Sequence, residues 1–280
     1  NPDAGLEVLK TLTPQQVDAA KALLPIIQVD VKDVPDVLYA EVLAEADGHS
    51  ARVVICTDHT RIVLLEKDGE VLMEQDSAPG VQIQPAKSDK PAMTLREIVA
   101  FALEVPLTEI AFIREAASMN QALADEGLQG YGLRIGKILT EQVERKLLSD
   151  DLMTLAMRLS SAASDARMDG AMLPAMSNSG SGNQGIAATM PVVAAARFLK
   201  ADDEQLARAL VMRHLVAIYI KAYQNKLSAL CAASTAAMGS GAAITWLLGG
   251  QFEQISHCIN NMIGDVSGII CAGAGIACSM

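Results

Sequence analysis

LSALCAASTAAMGSGAAITWLL, residues 227–248, is the stretch on which the fold turns. It is long enough to cross a bilayer, and from Leu227 to Met280 the only formal charges are Glu253 and Asp265. Against a membrane span stand Ser228, Ser234, Thr235, Gly239, Ser240, Gly241 and Thr245 and a low density of Leu, Ile and Phe, where spanning helices are usually greasier. We read it as a helix buried on all sides within a soluble protein. A membrane-associated helical protein is the alternative, argued only from the uncharged runs.

The rest of the chain supports such a core. Hydrophobic residues make up 51% of the 280 and aromatics only 3%, so the interior has to be built from Ala, Val, Leu, Ile and Met. That mix suits tightly packed helices better than a β-sandwich. A net charge of −11 without a basic run argues against nucleic-acid binding, which needs clustered Lys and Arg. The cysteines are Cys56, Cys231, Cys258, Cys271 and Cys278. An odd number without Cys-x-x-Cys, in an acidic chain with no secretory signal, points to a reducing compartment and away from a disulfide framework or zinc knuckle. Both ends read as cut: Asn1 opens directly into a helical pattern, and Met280 stops inside an Ala/Gly-rich run.

Along the chain the hydrophobic period changes twice. Residues 3–25 predict two short helices, one opened by the capping sequence Thr13-Pro14-Gln15-Gln16. From 29 to 84, strand-like runs alternate with Asp47-Gly48, Asp58-His59 and Asp68-Gly69, the last a hairpin signal. Beyond the loop 77–93 the pattern is helical, with helices expected near 95–104, 108–125, 135–148, 150–168, 190–199, 203–224, 227–248, 251–263 and 266–279. The fold class is therefore α+β: a small antiparallel β unit, with the front helices, in a domain 1–86, then a large, mostly buried helical domain 87–280.

Chemistry has few candidates. SNSGSGNQG (177–185) sets uncharged donors, Ser177, Asn178, Ser179, Ser181, Asn183 and Gln184, among Gly180, Gly182 and Gly185. Glycines there allow the positive φ values of an anion-binding nest, ahead of a helix beginning by Pro191 and capped by Thr189. Composition alone leaves this loop evenly divided between a carboxylate or phosphate site and a polar linker. Cys271 and Cys278 are seven apart, on one helical face; ordinary packing and thiolate ligation of an iron–sulfur cluster both fit, composition favouring packing. His49 and His59 fall in turns. His214 and His257 fall in helices, where core or surface roles outnumber catalytic ones. Arg134, at a helix start in 119–137, reads as a surface residue more readily than a carboxylate clamp.

Several motifs in order, MSNSGSGNQG (176–185), IYIK followed by KLSALC (218–231), NMIGDVSGIIC (261–271) and, upstream, ALADEGLQGYGLRIGK, resemble the L-cysteine desulfidase and L-serine dehydratase alpha-chain family. The resemblance covers essentially the whole chain. It implies a cytoplasmic lyase that uses a [4Fe–4S] cluster held by three cysteines, matching Cys231 and Cys271, with Cys278 as a further ligand. It also implies a small amino-acid substrate whose carboxylate is held by 177–184, Ser177 through Gln184 including Gly180 and Gly182. Elimination of the β-substituent would give pyruvate and ammonia, and Lys226, five residues before Cys231, is the candidate base. The family's Gly-Cys-Thr-Glu-Pro segment is missing, so the fragment is expected to lack its cluster. After Cys271 the usual Asp-Gly-Ala-Lys is replaced by Ala272-Gly273-Ala274-Gly275, which favours a non-catalytic relative that binds a small molecule. The large apolar helices are compatible with a homodimer; neither nucleic acid nor membrane is an expected partner.

Overall fold

A computed structural model describes residues 11–36, 38–57, 61–75, 93–224, 228, 230–267, 269–270 and 275. They belong to two compact units, Asn1–Gln84 and Pro85–Met280.

The first unit holds helix α1 (Pro14–Leu23), whose Thr13 and Gln16 form a reciprocal capping box, and a four-stranded antiparallel sheet. Strands β1 (Tyr39–Ala46), β2 (His49–Cys56), β3 (Ile62–Lys67) and β4 (Glu70–Glu74) follow one another in sequence order. The pairs Ala46↔His49 and Lys67↔Glu70 leave two-residue turns, Asp47-Gly48 and Asp68-Gly69. All four turn residues have positive φ, the type I′ geometry that matches the twist of a hairpin. Val54, Cys56 and Val63 form the small core of this sheet, so Cys56 is a packed thiol as its strand pattern implies.

The second unit is helical among the described residues: α2 (Leu95–Glu104), α3 (Leu107–Ile110), α4 (Arg114–Gly127), α5 (Ile135–Glu144), α6 (Leu152–Met168), α7 (Gly182–Leu199), α8 (Asp203–Lys221), α9 (Ala232–Leu247) and α10 (Phe252–Val266). Polar caps start several of them where the sequence signals do: Thr94 with Glu97 before α2, Asp151 before α6, and Asp202 with Gln205 before α8. The expected helix over 266–279 falls largely outside the described residues; within them, Leu230 and Ile270 instead form an antiparallel bridge.

Helix α9 comes from the stretch that opened the question, and no described residue from 233 to 247 is exposed. Its small residues let backbones touch: a Cβ placed on Gly239 would stand 2.3 Å from the Arg213 carbonyl oxygen of α8. No helix of the described residues is long and apolar enough to cross a membrane.

Helix α7 begins at Gly182, capped by Ser181, and not near Pro191 under a Thr189 cap. Pro191 lies in its interior, where the ring removes an N–H and leaves the carbonyl four residues earlier, that of Ala187, without its usual partner. The helix continues because α9 supplies that partner: Ser240 Oγ lies 2.7 Å from the Ala187 oxygen and 2.8 Å from that of Ala188. Thr189, expected as a cap, is fully buried and donates to the Gly185 carbonyl.

Candidate active site

The run 177–185 is two structures in succession. Asn178 and Ser181 exchange backbone hydrogen bonds of 3.1 and 3.0 Å around Ser179 and Gly180, whose φ values are 47° and 82°. This tight turn leaves Ser177, Ser179 and Gly180 exposed and Asn178 buried. Ser181 then accepts from the Gln184 N–H at 3.2 Å, so Gly182, Asn183 and Gln184 form the buried first turn of α7. A Cβ on Gly185 would stand 1.9 Å from the Met176 carbonyl oxygen, so the incoming chain crosses the helix where only glycine fits. Asn120 of α4 pins that crossing: its oxygen accepts from Met176 N–H at 2.9 Å and its nitrogen donates to Thr189 Oγ1 at 3.2 Å.

Beneath the turn lie two residues of α8 that sequence reasoning passed over or placed among bland helical histidines. Arg213 is 0% exposed. Its Nη1 donates to the Gly185 carbonyl at 3.4 Å, its Nη2 meets Nε2 of His214, and its Nε has no partner. Among the described residues no carboxylate pairs with it, and burial pushes its pKa well below the ordinary range. His214 Nδ1 is 2.9 Å from the Asn178 amide. Burial first, and the Arg213 charge second, pull its pKa down to about 3, so the ring is neutral.

These contacts join Arg213, His214, Asn178 and Gln184 in one chain of polar groups. Gln184 Nε2 donates to Asn178 Oδ1 at 3.1 Å, and Gln184 Oε1 is left without a partner.

A second arginine borders the same helix start. Arg167 of α6 donates through Nη1 to Asn183 Oδ1 at 3.1 Å, and a Cβ on Gly182 would lie 2.2 Å from its Nε. A cation at a helix N-terminus opposes the macrodipole, which favours anions there.

Of the cysteines assigned to a cluster, Cys231 is described. It occupies the N-cap position of α9 and is half-buried. Its N–H donates to the Ile269 carbonyl at 3.2 Å, and the Leu230–Ile270 bridge brings the position just before Cys271 in sequence beside it. Burial pushes the thiol up, but hydrogen bonds with the Ser234 side chain and the N–H groups of Ser234 and Ala233 outweigh this and lower its pKa. Lys226, Cys271 and Cys278 lie outside the described residues. Among those described, no group of three His, Cys, Asp or Glu side chains forms a metal site.

The two helix starts face the same way. Ala236 clusters with Ala188, Ser240 bonds Ala187 and Ala188, and Ala243 shares a core cluster with Val192 to Ala194, so α7 and α9 run parallel. Counting back from Ser240 and Ala187 at 1.5 Å per residue, with axes roughly 8–10 Å apart, puts the caps Ser181 and Cys231 about 10 Å from each other.

The signal that could have found this pair was present. Arg213-His214 interrupts the apolar run ALVM…LVAIYI, and a strong charge in a helix without a polar face has to be explained. Arg167 carried no comparable sign.

Comparison with known proteins gives a family model described as "Serine dehydratase alpha chain", matching residues 3–280. The chain is 92% identical over 280 residues to a "UPF0597 protein" of Aeromonas salmonicida, covering all of this chain and 64% of that protein. It is 89% identical to a protein of the same name from Aeromonas hydrophila, with the same coverage. A Shewanella pealeana protein of that name is 54% identical over 285 residues, 99% of this chain and 65% of that protein. The chain thus spans under two thirds of these relatives. No solved structure matches.

Proposed function

Since the chain belongs to the serine dehydratase alpha chain family, we propose that the full-length protein is a β-eliminating lyase of small amino acids. Its reaction takes L-cysteine and water to pyruvate, ammonia and sulfide, with L-serine dehydration as the alternative.

The observation that carries this reading is the pairing of two helix starts: a cation-flanked first turn of α7, and a thiol at the cap of α9 about 10 Å away. The first suits a substrate carboxylate, because the N–H groups of Gly182 and Asn183 belong to the unpaired set of a helix start. The second suits a soft metal centre, since a thiol at a helix N-terminus with a lowered pKa is a ready thiolate ligand.

Cys231, Cys271 and Cys278 would hold a [4Fe–4S] cluster. When bound, that cluster supplies a Lewis-acidic iron that polarises the β-substituent and eases its departure. The chain's own residues do the rest. Ser177 to Gln184 orient the carboxylate, and Arg213 and His214 support that turn from beneath through the Gly185 carbonyl and the Asn178 amide. His214 is a poor base, because its pKa of about 3 keeps it deprotonated without giving it affinity for a proton at neutral pH. Lys226 remains the candidate that removes the α-proton. Loss of that proton and of the β-substituent leaves aminoacrylate, which hydrolyses to pyruvate and ammonia.

The test is anaerobic purification of the full-length protein, with iron and acid-labile sulfide quantified and pyruvate release followed from L-cysteine and from L-serine. We expect cluster-dependent pyruvate, faster from L-cysteine. Cys231→Ala and Cys271→Ala should lose iron, whereas Cys56→Ala, in the sheet core, should keep it. A protein that takes up no cluster on reconstitution and makes no pyruvate sinks the reading. The run Ala272 to Gly275 favours a second one, a carboxylate-binding relative without turnover, which would bind amino acids and release nothing.

A further inference from the structure

We propose that the first unit, Asn1–Gln84, is completed by the part of the full-length polypeptide that lies beyond these 280 residues. That part docks as one layer: it takes Ile27–Lys32 as a strand into its own sheet and covers the apolar face of the four-stranded sheet. Such docking is independent of the lyase reading.

Ile27, Val29 and Val31 alternate with Gln28, Asp30 and Lys32, the period-2 pattern of a strand with one buried face, and a β-branched residue fills every apolar place. The backbone is extended at Ile27, with φ −78° and ψ 124°, yet Gln28 to Val34 belong to no helix or strand. Val29 is 87% exposed and Val31 101%. Among the described residues no main-chain group from Gln28 to Lys32 has a hydrogen-bond partner. A run so patterned and so exposed lacks both the ladder and the layer of a strand.

The sheet shows the same lack on one side. The face that holds buried Val54 and Cys56 also carries Glu41, Arg52 and Glu66, and Arg52 pairs with both acids. The opposite face holds an apolar row that crosses all four strands, Val42↔Val53, Val53↔Leu65 and Leu65↔Met73. None of these four is buried, and Val42 is 64% exposed. In an antiparallel sheet with one charged and one apolar side, the apolar side receives the next layer. Helix α1 does not supply it, since it buries no residue. A second copy of the chain would gain little there. Four strands about 4.8 Å apart and about six residues long span about 400 Å², so two such faces together bury about 800 Å², short of the roughly 1,200 Å² at which specific interfaces begin. A segment of the same polypeptide needs no such area, because the linkage sets its effective concentration. More than a third of the Aeromonas salmonicida relative lies outside this chain.

The test is hydrogen exchange of the full-length protein, read by mass spectrometry on peptides that span 27–32. The amides from Gln28 to Lys32 should exchange at least about 100-fold more slowly than in a free peptide of the same sequence, equally in dilute and in concentrated protein. Val42→Lys, which sets a charge on the apolar face, should cut that protection at least about 10-fold. Leu43→Lys, at a site 57% exposed on the opposite face, should leave it unchanged. Exchange at the free-peptide rate in wild type overturns the proposal without recourse to either variant, and so does protection that Val42→Lys leaves intact. Protection that grows with protein concentration assigns the strand to a second copy and overturns the same-chain occupant.

Discussion

Replacing His214 by Gln should abolish a pH dependence of stability that the wild type shows between pH 7 and pH 5. The folded ring has its pKa lowered to about 3 by burial and by Arg213, whereas an unfolded histidine keeps the ordinary 6.5. Below 6.5 the unfolded chain therefore binds more protons than the folded one, and stability falls as pH falls. The contribution is fully present above 6.5, declines down to about 3, and is flat below that. Across the whole window it amounts to about 4–5 kcal/mol. Between pH 7 and pH 5 alone the loss is about 2 kcal/mol, nearly the same for any folded value below about 4. That interval is the useful one, since most carboxylates, with ordinary values near roughly 4, have yet to titrate. Urea unfolding followed by Trp246 fluorescence reads it directly, because the chain's single tryptophan packs in the helical core. A flat profile over that interval, or one that persists in His214→Gln, refutes the buried, arginine-facing imidazole.

Other perturbations address neighbouring parts of the same construction. Gly185→Ala would set a methyl 1.9 Å from the Met176 carbonyl oxygen, and backbone has to move more than about 1 Å to relieve it; we expect about 3 kcal/mol or more of lost stability, read as a lower urea midpoint. Gly182→Ala meets only the flexible end of Arg167, so its stability cost should stay under about 1 kcal/mol. Asn178→Asp puts a carboxylate beside the imidazole, raises the His214 pKa toward its ordinary value, and should shrink the loss between pH 7 and pH 5 below about 1 kcal/mol in the same urea series.

Features governed by neighbours in sequence were legible. Asp47-Gly48 and Asp68-Gly69 turn because their φ values are local, and Thr13, Thr94 and Asp202 cap because a side chain reaches three residues ahead. Charge-free 232–247 was readable as a buried helix from its small polar residues. The start of α7 was misread for a reason that lies outside the segment. Pro191 suggested a beginning, and only Ser240, some fifty residues later, makes it tolerable as an interior residue. The site was half legible on the same ground. SNSGSGNQG drew notice by composition, but what makes it electrostatically unfinished is Arg167 and Arg213, whose importance lies in partners they do not have. A single sequence displays residues, not unmet valences.

The proline has a mechanical corollary. With one rung missing between residues 187 and 191, the first half of α7, which carries the glycine-rich turn, is joined to the second by one hydrogen bond fewer. Its bearing on α9 is set by the packing of Ala188 with Ala236 and by one hydroxyl, that of Ser240, which reaches the two carbonyls at the joint. Since Cys231 stands at the head of α9, the alignment of the two helix heads is gauged by that fastening, roughly 13 Å down the α9 axis at 1.5 Å per residue. Remote changes at this joint would thus alter the spacing between the two halves of the site without touching either.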